Sequence, residues 1–300
     1  MTAIHFALST THAKCNNMSI LLCVVDRVMG VTKLHDVVYV LCDKPSTIKR
    51  FKAAEHADHE RMTQLEDIAV NDLRDPKDIA ACKQTCQVYV ADSECIWRMS
   101  ADGTDRERWL TTPPSGRHLR PHTLSVTATR LLVTSYGNSE LMRFDADGNE
   151  LRHVSLPEGT APYHAVESPS GRFIVIHSNT QLKQWQVSEV NSKGEILRQF
   201  NGSLSWPDHI AIDSQGNVFA ADTGNHRILL LDTQLVLRHV IIDERQLNNQ
   251  EPRRLCYVKQ SGQLLVGFNN SFMLFEVLQV CQVSEVTPVN GMFQSNSLKT

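Results

Sequence analysis

The sequence lacks an apolar run long enough to cross a bilayer: the longest near its start is Ile20 to Val25, whereas a membrane-spanning helix needs about 20 apolar residues. Residues 1–17 also lack a basic start followed by an apolar stretch, so we expect no secretory signal and a cytoplasmic location. The net charge is only −3, so no global field attracts nucleic acid or anionic lipid. These absences argue against a membrane partner and leave RNA binding dependent on a local basic patch.

Eight cysteines are present, but paired C-x-x-C knuckles are missing, which argues against a zinc ribbon. Cys82, Cys86 and Cys95 lie on or beside apolar segments, where cysteine behaves as a small hydrophobic residue. We predict buried structural thiols, and a Cys82–Cys86 or Cys86–Cys95 disulfide is the open alternative. A nucleophile elbow, a P-loop and a dinucleotide-binding fingerprint are missing as well, so the sequence favours a non-enzymatic protein.

What the sequence does contain is a repeat. Five proline-led segments follow one another at intervals of 45, 41, 45 and 45 residues, and they begin at Pro76, Pro121, Pro162, Pro207 and Pro252. A nearly fixed period of this length indicates one supersecondary unit that is copied and stacked, because a single copy cannot bury its own apolar face.

The clearest unit runs from Trp206 to Ile242 and reads as four short strands separated by tight turns. No interval is long enough for a crossover helix, which excludes an α/β fold. Strand-rich repeats of this length close radially. One period before Pro76, the segment from Val37 to Leu41 matches the second strand of the later units. We therefore predict an all-β fold, a six-bladed β-propeller of four-stranded antiparallel blades.

The ends of the chain decide how such a ring closes. We predict the propeller over residues 20–287, an N-terminal segment over 1–19 and a C-terminal tail over 288–300. The last unit has no clear outer strand. Either Gln279 to Val286 or the N-terminal Ile4 to Ser9 supplies it, and pairing the two ends would remove the exposed edges of an open ring.

The stretch from Asp208 to Leu231 resembles the NHL repeat, most clearly at Ala221-Asp222-Thr223-Gly224-Asn225-His226-Arg227-Ile228, and the resemblance covers about residues 20–285. It implies a six-bladed NHL-type propeller. NHL propellers serve as protein- or RNA-binding ends of tripartite-motif ubiquitin ligases, and related propellers work as amidating lyases. The chain has no RING or B-box cysteine–histidine array. The resemblance thus implies a substrate-recognition scaffold, with a metal-dependent lyase or hydrolase and an RNA-binding protein as alternatives.

Topology narrows the search for a binding site. The loops that carry the prolines and the loops between the second and third strands emerge on one face, which we call the proline face. Loops on a rigid scaffold often carry binding residues, so we predict a protein or peptide partner there, bound by a monomer. The predicted binding residues are Lys77, Arg120, His122, Tyr163, His164, His209, Arg253 and Arg254. Acidic residues interrupt the basic ones, which disfavours RNA.

Three of these residues are histidines, which raises the question of a metal. In the amidating lyases, metal-binding histidines directly follow such prolines, and here only His122 does. His164 and His209 come one residue later, and neighbouring strand positions point to opposite sides. We therefore predict no bound metal and no cofactor. Asp92 and Asp222 occupy equivalent turns, and we predict that they cap local backbone N–H groups rather than catalyse a reaction.

Overall fold

The computed structural model describes residues 18–23, 26–53, 62–111, 119–128, 130–135 and 137–277. Within these residues, every regular element is a β-strand except one short 3₁₀ turn, Thr223–Asn225. The strands form six antiparallel sheets, which confirms the predicted six-bladed, all-β propeller. None of the described segments includes a helix that is long and apolar enough to cross a membrane.

The strands follow the predicted repeat. In chain order, β1 is Met18–Cys23; blade 1 is β2 (Arg27–Leu34), β3 (Val37–Asp43), β4 (Thr47–Ala53), β5 (Met62–Gln64) and β6 (Ile68–Ala69); blade 2 is β7 (Asp78–Cys82), β8 (Gln87–Ala91), β9 (Ile96–Ser100) and β10 (Arg106–Leu110). Blade 3 is β11 (Pro121–Thr127), β12 (Arg130–Ser135), β13 (Glu140–Phe144) and β14 (Glu150–Ser155); blade 4 is β15 (Thr160–Glu167), β16 (Phe173–Asn179), β17 (Gln184–Val190) and β18 (Ile196–Gln199). Blade 5 is β19 (Pro207–Ile212), β20 (Val218–Asp222), β21 (Arg227–Leu231) and β22 (Leu237–Ile242); blade 6 is β23 (Arg254–Val258), β24 (Gln263–Gly267) and β25 (Ser271–Glu276).

Blade 6 takes its outer strand from the other end of the chain. Strand β1 pairs antiparallel with β25, with Leu22 opposite Phe272, and the innermost strands β2 and β23 pack against each other. The ring therefore closes with both chain ends in one blade, which leaves no open gap between blades. Residues 4–9 and 279–286, the two segments predicted for this place, lie outside the described residues.

Blade 5 shows why the sequence folds in this way. Strand β20 is buried along its whole length and apolar up to its last residue, Asp222, because its two faces pack against the neighbouring blades. The turn before it depends on Asp213, whose Oδ1 accepts the backbone N–H groups of Gln215 and Asn217 at 2.8 Å each. Gly216 in this turn has φ +91, a left-handed conformation that glycine adopts without steric cost.

The core is divided among the junctions between blades. A cluster of buried apolar side chains fills each of the six junctions, including the one between blades 6 and 1. At that closing junction, the rings of Phe51 and Phe272 are 5.0 Å apart. Burying one such side chain contributes about 1.5–3 kcal/mol. The closing junction therefore stabilises the ring by apolar burial, as the other five junctions do.

The described cysteines are unpaired thiols. Cys82 and Cys95 are buried, whereas Cys86 is exposed, and none of the three is in a disulfide. Burial raises the pKa of the Cys95 thiol, as it does for a structural cysteine kept in its neutral form.

Candidate functional site

The innermost strand is irregular next to its proline in three of the blades. In blades 3, 4 and 5 the register shifts across the residue that directly follows the proline, so His122, Tyr163 and Asp208 are β-bulges. A bulge bends the strand and re-aims the side chains beside it. The residues two positions after the prolines form a separate set, which we call the channel layer. Its members are Asp78, Thr123, His164, His209 and Arg254, together with Gly30 in blade 1.

The channel layer meets at the axis of the ring. Asp78 belongs to blade 2 and His209 to blade 5, yet Asp78 Oδ2 lies 3.7 Å from His209 Nε2. Asp78 Oδ1 lies 3.8 Å from Arg254 Nε, and the rings of His164 and His209 stack with centroids 3.6 Å apart. Side chains from opposite blades can meet only at the centre, so this layer crosses the channel.

Each channel-layer side chain also bonds to the innermost strand of the next blade. The contacts are Leu124 N to Asp78 Oδ2 (2.9 Å), Thr123 Oγ1 to Tyr163 O (3.0 Å), Ile210 N to His164 Nδ1 (3.2 Å), Leu255 N to His209 Nδ1 (3.3 Å) and Arg254 Nε to Met29 O (2.7 Å). At the sixth junction a Cβ on Gly30 would lie 2.8 Å from the Ile79 nitrogen, so glycine alone permits that approach. The layer therefore joins all six blades.

The layer contains three potential metal-ligand groups that lie close together. Ligand atoms of Asp78, His164 and His209 lie within 4.8 Å of one another, and all three residues are buried. However, Nδ1 of each histidine accepts a backbone N–H, so the proton of the neutral ring is on Nε2. An Nε2–H has no lone pair to offer a cation. These two imidazoles therefore present hydrogen-bond donors rather than metal ligands.

Burial keeps the histidines near the axis neutral. It lowers the pKa of His164 well below its usual value, and the neighbouring His209 and Arg254 add to the effect. Burial, followed by the charge of Arg254, lowers the pKa of His122 to about 4. Burial also raises the pKa of the Asp208 carboxyl, because a low-dielectric environment disfavours a charge.

The structure separates the eight predicted binding residues into two groups. His164, His209 and Arg254 are buried in the channel layer. The other five lie at the proline face: Arg120 is exposed, Lys77, Tyr163 and Arg253 are half-buried, and His122 is buried. The bulges explain the separation, because successive residues of one strand enter two different environments.

The cations at the proline face are paired. Lys77 Nζ lies 2.6 Å from Asp75 Oδ2. The Arg253 guanidinium lies 3.4 Å from Asp208 Oδ2 and 2.7 Å from Glu251 Oε2. These two cations thus have a carboxylate beside them, whereas the exposed Arg120 has none within 4.0 Å among the described residues. One such cation is not the run of free cations that phosphate backbones require.

Aromatic rings form a continuous row across the same face, which we call the aromatic row. From the channel outward it comprises His122, Tyr163, Trp185 and Trp206, with ring centroids 4.4, 5.6 and 5.5 Å apart. At its outer end, Trp206 is 59% exposed, and Leu182, three residues before Trp185 in the chain, is 64% exposed. Large exposed apolar side chains on one face are candidates for contact with a partner.

Asp92 and Asp222 have the structural role predicted for them. Asp92 accepts the backbone N–H groups of Arg74 and Asp75 at 3.1 and 2.7 Å. Asp222 accepts the Ser205 N–H at 2.7 Å and is also bonded to Arg227 Nε at 2.7 Å. Both carboxylates are used in holding loops of the proline face.

Residues 204–229 match the model of the NHL repeat. They include β19, β20 and the start of β21, which are the strands that carry His209 and the cap Asp222. The chain is a β-propeller with an NHL repeat. The family model covers one repeat, and the described residues form six antiparallel blades around the ring.

Solved propellers of several kinds share the fold of this NHL-repeat propeller. A gluconolactonase of Xanthomonas campestris has a TM-score of 0.64 at 13% identity, covering 92% of this chain and 100% of that one. A chain of the nidogen/laminin complex has a TM-score of 0.60 at 17% identity, covering 77% and 85%. An inactive virginiamycin B lyase of Staphylococcus aureus with quinupristin has a TM-score of 0.56 at 12% identity, covering 86% and 98%. No curated protein sequence matches this chain. Since these neighbours include enzymes and a protein complex, the likeness shows the fold alone.

The sequence reasoning missed two features of the NHL-repeat propeller. Asp78 lies in the channel layer, and Trp185, which packs against the core of blades 4 and 5, is also half-buried inside the aromatic row. Reading the residue two positions after each proline as one column would have collected the channel layer. No sequence signal marks the row, because its members come from non-equivalent positions.

Proposed function

We propose that this NHL-repeat propeller is a non-enzymatic protein-binding module whose partner lies along the aromatic row of the proline face. The observation that carries the proposal is the exposed outer end of the row, where Trp206 and Leu182 project beside the half-buried Trp185. Aromatic side chains anchor protein interfaces more often than other types, since they bury a large area at a small cost in conformational entropy.

The charges beside the row define the kind of partner. Arg120 is exposed, and the carboxylates of Asp75 and Glu251 lie close to cations of the same face. Such a mixture suits a polypeptide segment that has an apolar side chain for the row and charges of both signs around it. The pairing of Lys77 and Arg253 with carboxylates gives RNA less support.

The enzymatic alternative has less support as well. A metal-dependent lyase or hydrolase needs ligands with free lone pairs, and the two channel-layer histidines present Nε2–H donors. The resemblance to tripartite-motif proteins adds that the bound protein is a substrate presented to a ubiquitin ligase. The unpaired thiols of Cys82, Cys86 and Cys95 are compatible with a cytoplasmic monomer.

A displayed peptide library selected on the purified propeller tests the proposal. We expect enriched peptides with an aromatic or large aliphatic residue, and a loss of affinity of about tenfold or more in Trp206→Ala. Val236→Ala is the matched control, because Val236 is also an exposed large apolar residue, at 54%, but lies in the turn between the third and fourth strands of blade 5. Peptides that bind both variants equally well, or a selection that enriches none, would contradict the proposal.

A further inference from the structure

A second part of the channel opens on the opposite face. The turns between the first and second strands of each blade form that face, which we call the hairpin face. A cavity of about 440 Å³ extends from His164 and His209 towards these turns. This volume lies within the range of roughly 300–1,000 Å³ found for small-molecule sites. The channel layer therefore forms the floor of a pocket.

The walls of this pocket are apolar and contain small side chains. The residues two positions after the channel layer line it, since they point to the same side of their strands, and they are Thr32, Ala80, Ser125, Val166, Ala211 and Cys256. The Ser125 hydroxyl is buried and has no hydrogen-bond partner in the described part of the chain. A pocket of this kind accommodates an apolar body.

The rim of the pocket is basic. Lys33, Lys83 and Lys259 line it, and no carboxylate lines it. Among the residues that the structure describes, none of these lysines has a carboxylate oxygen within 4.0 Å; Lys83 Nζ donates to the side-chain oxygen of Gln260. Burial lowers the pKa of Lys33, and the charge of Lys83 lowers it further. Two cations that repel each other beside an apolar cavity are stabilised by an anion placed between them.

The acidic groups near this face have other partners. Asp36 Oδ2 lies 3.1 Å from Lys52 Nζ, and Glu167 Oε1 lies 2.9 Å from Arg130 NH2. Asp213 is bonded to its own turn. The positive rim is therefore not neutralised by these neighbours.

The floor adds hydrogen-bond donors. Because Nδ1 of His164 and of His209 accepts a backbone N–H, each neutral ring has its proton on Nε2. His164 is 1% exposed, and its Nε2 has no partner among the described residues. The floor therefore has one Nε2–H donor without a partner, at His164, whereas Nε2 of His209 lies 3.7 Å from Asp78 Oδ2.

We propose that this pocket binds a small organic anion, with its apolar body in the channel and one carboxylate or phosphate group between Lys33, Lys83 and Lys259. The site is separate from the partner site on the proline face, since the channel layer lies between them. A protein partner at one end and a small acid at the other are thus two independent properties of one ring.

The purified protein can be tested with two dyes that share one apolar body. 8-Anilinonaphthalene-1-sulfonate has an anionic group, whereas N-phenyl-1-naphthylamine has none, and both fluoresce when they enter an apolar site. We expect the anionic dye to bind with one-to-one stoichiometry and about tenfold more tightly, since a hydrogen bond to a charged group has this magnitude. Equal affinity of the two dyes would overturn the proposal.

Variants locate the site. The double change Lys33→Met/Lys83→Met should weaken binding of the anionic dye about tenfold or more. Lys183→Met/Lys193→Met is the matched control: it removes the same net charge at two exposed positions outside the cavity and should leave binding unchanged. Ser125→Phe should fill the cavity and abolish binding of both dyes, while circular dichroism and thermal unfolding show that the ring is intact. Retention of binding by either pocket variant, or a loss with the control pair equal to that with the pocket pair, would place the dye elsewhere.

Competition decides which anion the pocket prefers. Phenylacetate and phenyl phosphate differ in the acidic group, and displacement of the dye by one or both identifies the preferred acid. Failure of both to displace it would show that no site for a small organic acid exists here.

Discussion

The cations at the two ends of the central channel differ in whether a carboxylate lies beside them. At the proline face and in the channel layer, Lys77, Arg253 and Arg254 each lie beside a carboxylate. At the hairpin face, Lys33, Lys83 and Lys259 have no carboxylate within 4.0 Å among the described residues. The same strands supply both ends. Lys77 pairs within its own loop, and the two arginines pair with carboxylates of other blades. The unpaired lysines of the hairpin face are available to a ligand.

Lowering the pH should have the largest effect on the free energy of unfolding. The folded pKa of His122 and that of His177 are each lowered from 6.5 to about 4 by burial. A histidine with a lowered folded pKa contributes stability that is fully present above the unfolded value and is lost as pH falls towards the folded one. The loss between pH 8 and pH 4 should be roughly 3 kcal/mol for each ring.

Urea unfolding at pH 8, 6.5, 5.5 and 4.5 measures this loss. His122→Gln should reduce the slope of the free energy of unfolding against pH below 6.5, and His35→Asn, at an exposed position with φ 54 that asparagine tolerates, should not. A wild-type free energy that stays constant from pH 6.5 to 5.5 would show that the folded pKa of these rings is not lowered.

Two adjacent arginines give the next largest contrast. Arg254→Met leaves the buried Asp78 without its cation and removes the bond to the Met29 carbonyl, so we expect a loss of about 3–5 kcal/mol. Arg253→Met removes a half-buried pair near solvent, and we expect a loss of about 1 kcal/mol or less. Chemical denaturation of the two variants in parallel measures the difference. Equal losses would mean that the channel layer is no more important for stability than the surface.

The smallest expected effect is that of metal. Because the Nε2 atoms of His164 and His209 are protonated, one equivalent of zinc or an excess of chelator should not change the thermal midpoint by more than the error of measurement. Elemental analysis of the purified protein is the direct check. A stoichiometric ion whose loss follows His164→Gln or His209→Gln would require that the backbone donors of Ile210 and Leu255 have found other acceptors.

The ring could be predicted from the sequence because individual residues recur at the period of the blades. Each proline marks the start of a blade, and the turn glycines repeat at positions such as Gly103 and Gly148, both with positive φ. Such local requirements for φ persist in every copy. The predicted strands of blade 5 accordingly agree with β19 to β22, apart from shifts of one or two residues at their ends.

The site could not be predicted to the same depth, because the number of residues after the proline does not reveal which environment a side chain enters. Counting from the proline places Arg253 and Arg254 together, but the first lies at the proline face and the second in the channel layer. The pocket at the hairpin face has no motif at all. Its rim takes one lysine from a strand and two from turns, and the distance between Lys33 and Lys259 along the chain hides their proximity around the axis.

The pairing of β1 with β25 has a consequence for the order of events in synthesis. The strand made first is the last to find its partner, because Met18 pairs with Phe275, more than 250 residues later in the chain. Blades 2 to 5 each pair strands that are close in sequence and can form as they leave the ribosome. Meanwhile the apolar segment Met18–Cys23 has to wait unpaired, and an unpaired strand is open to the wrong partner. Until strand β25 has been made, folding of the ring thus depends on keeping the unpaired strand β1 from pairing with another strand.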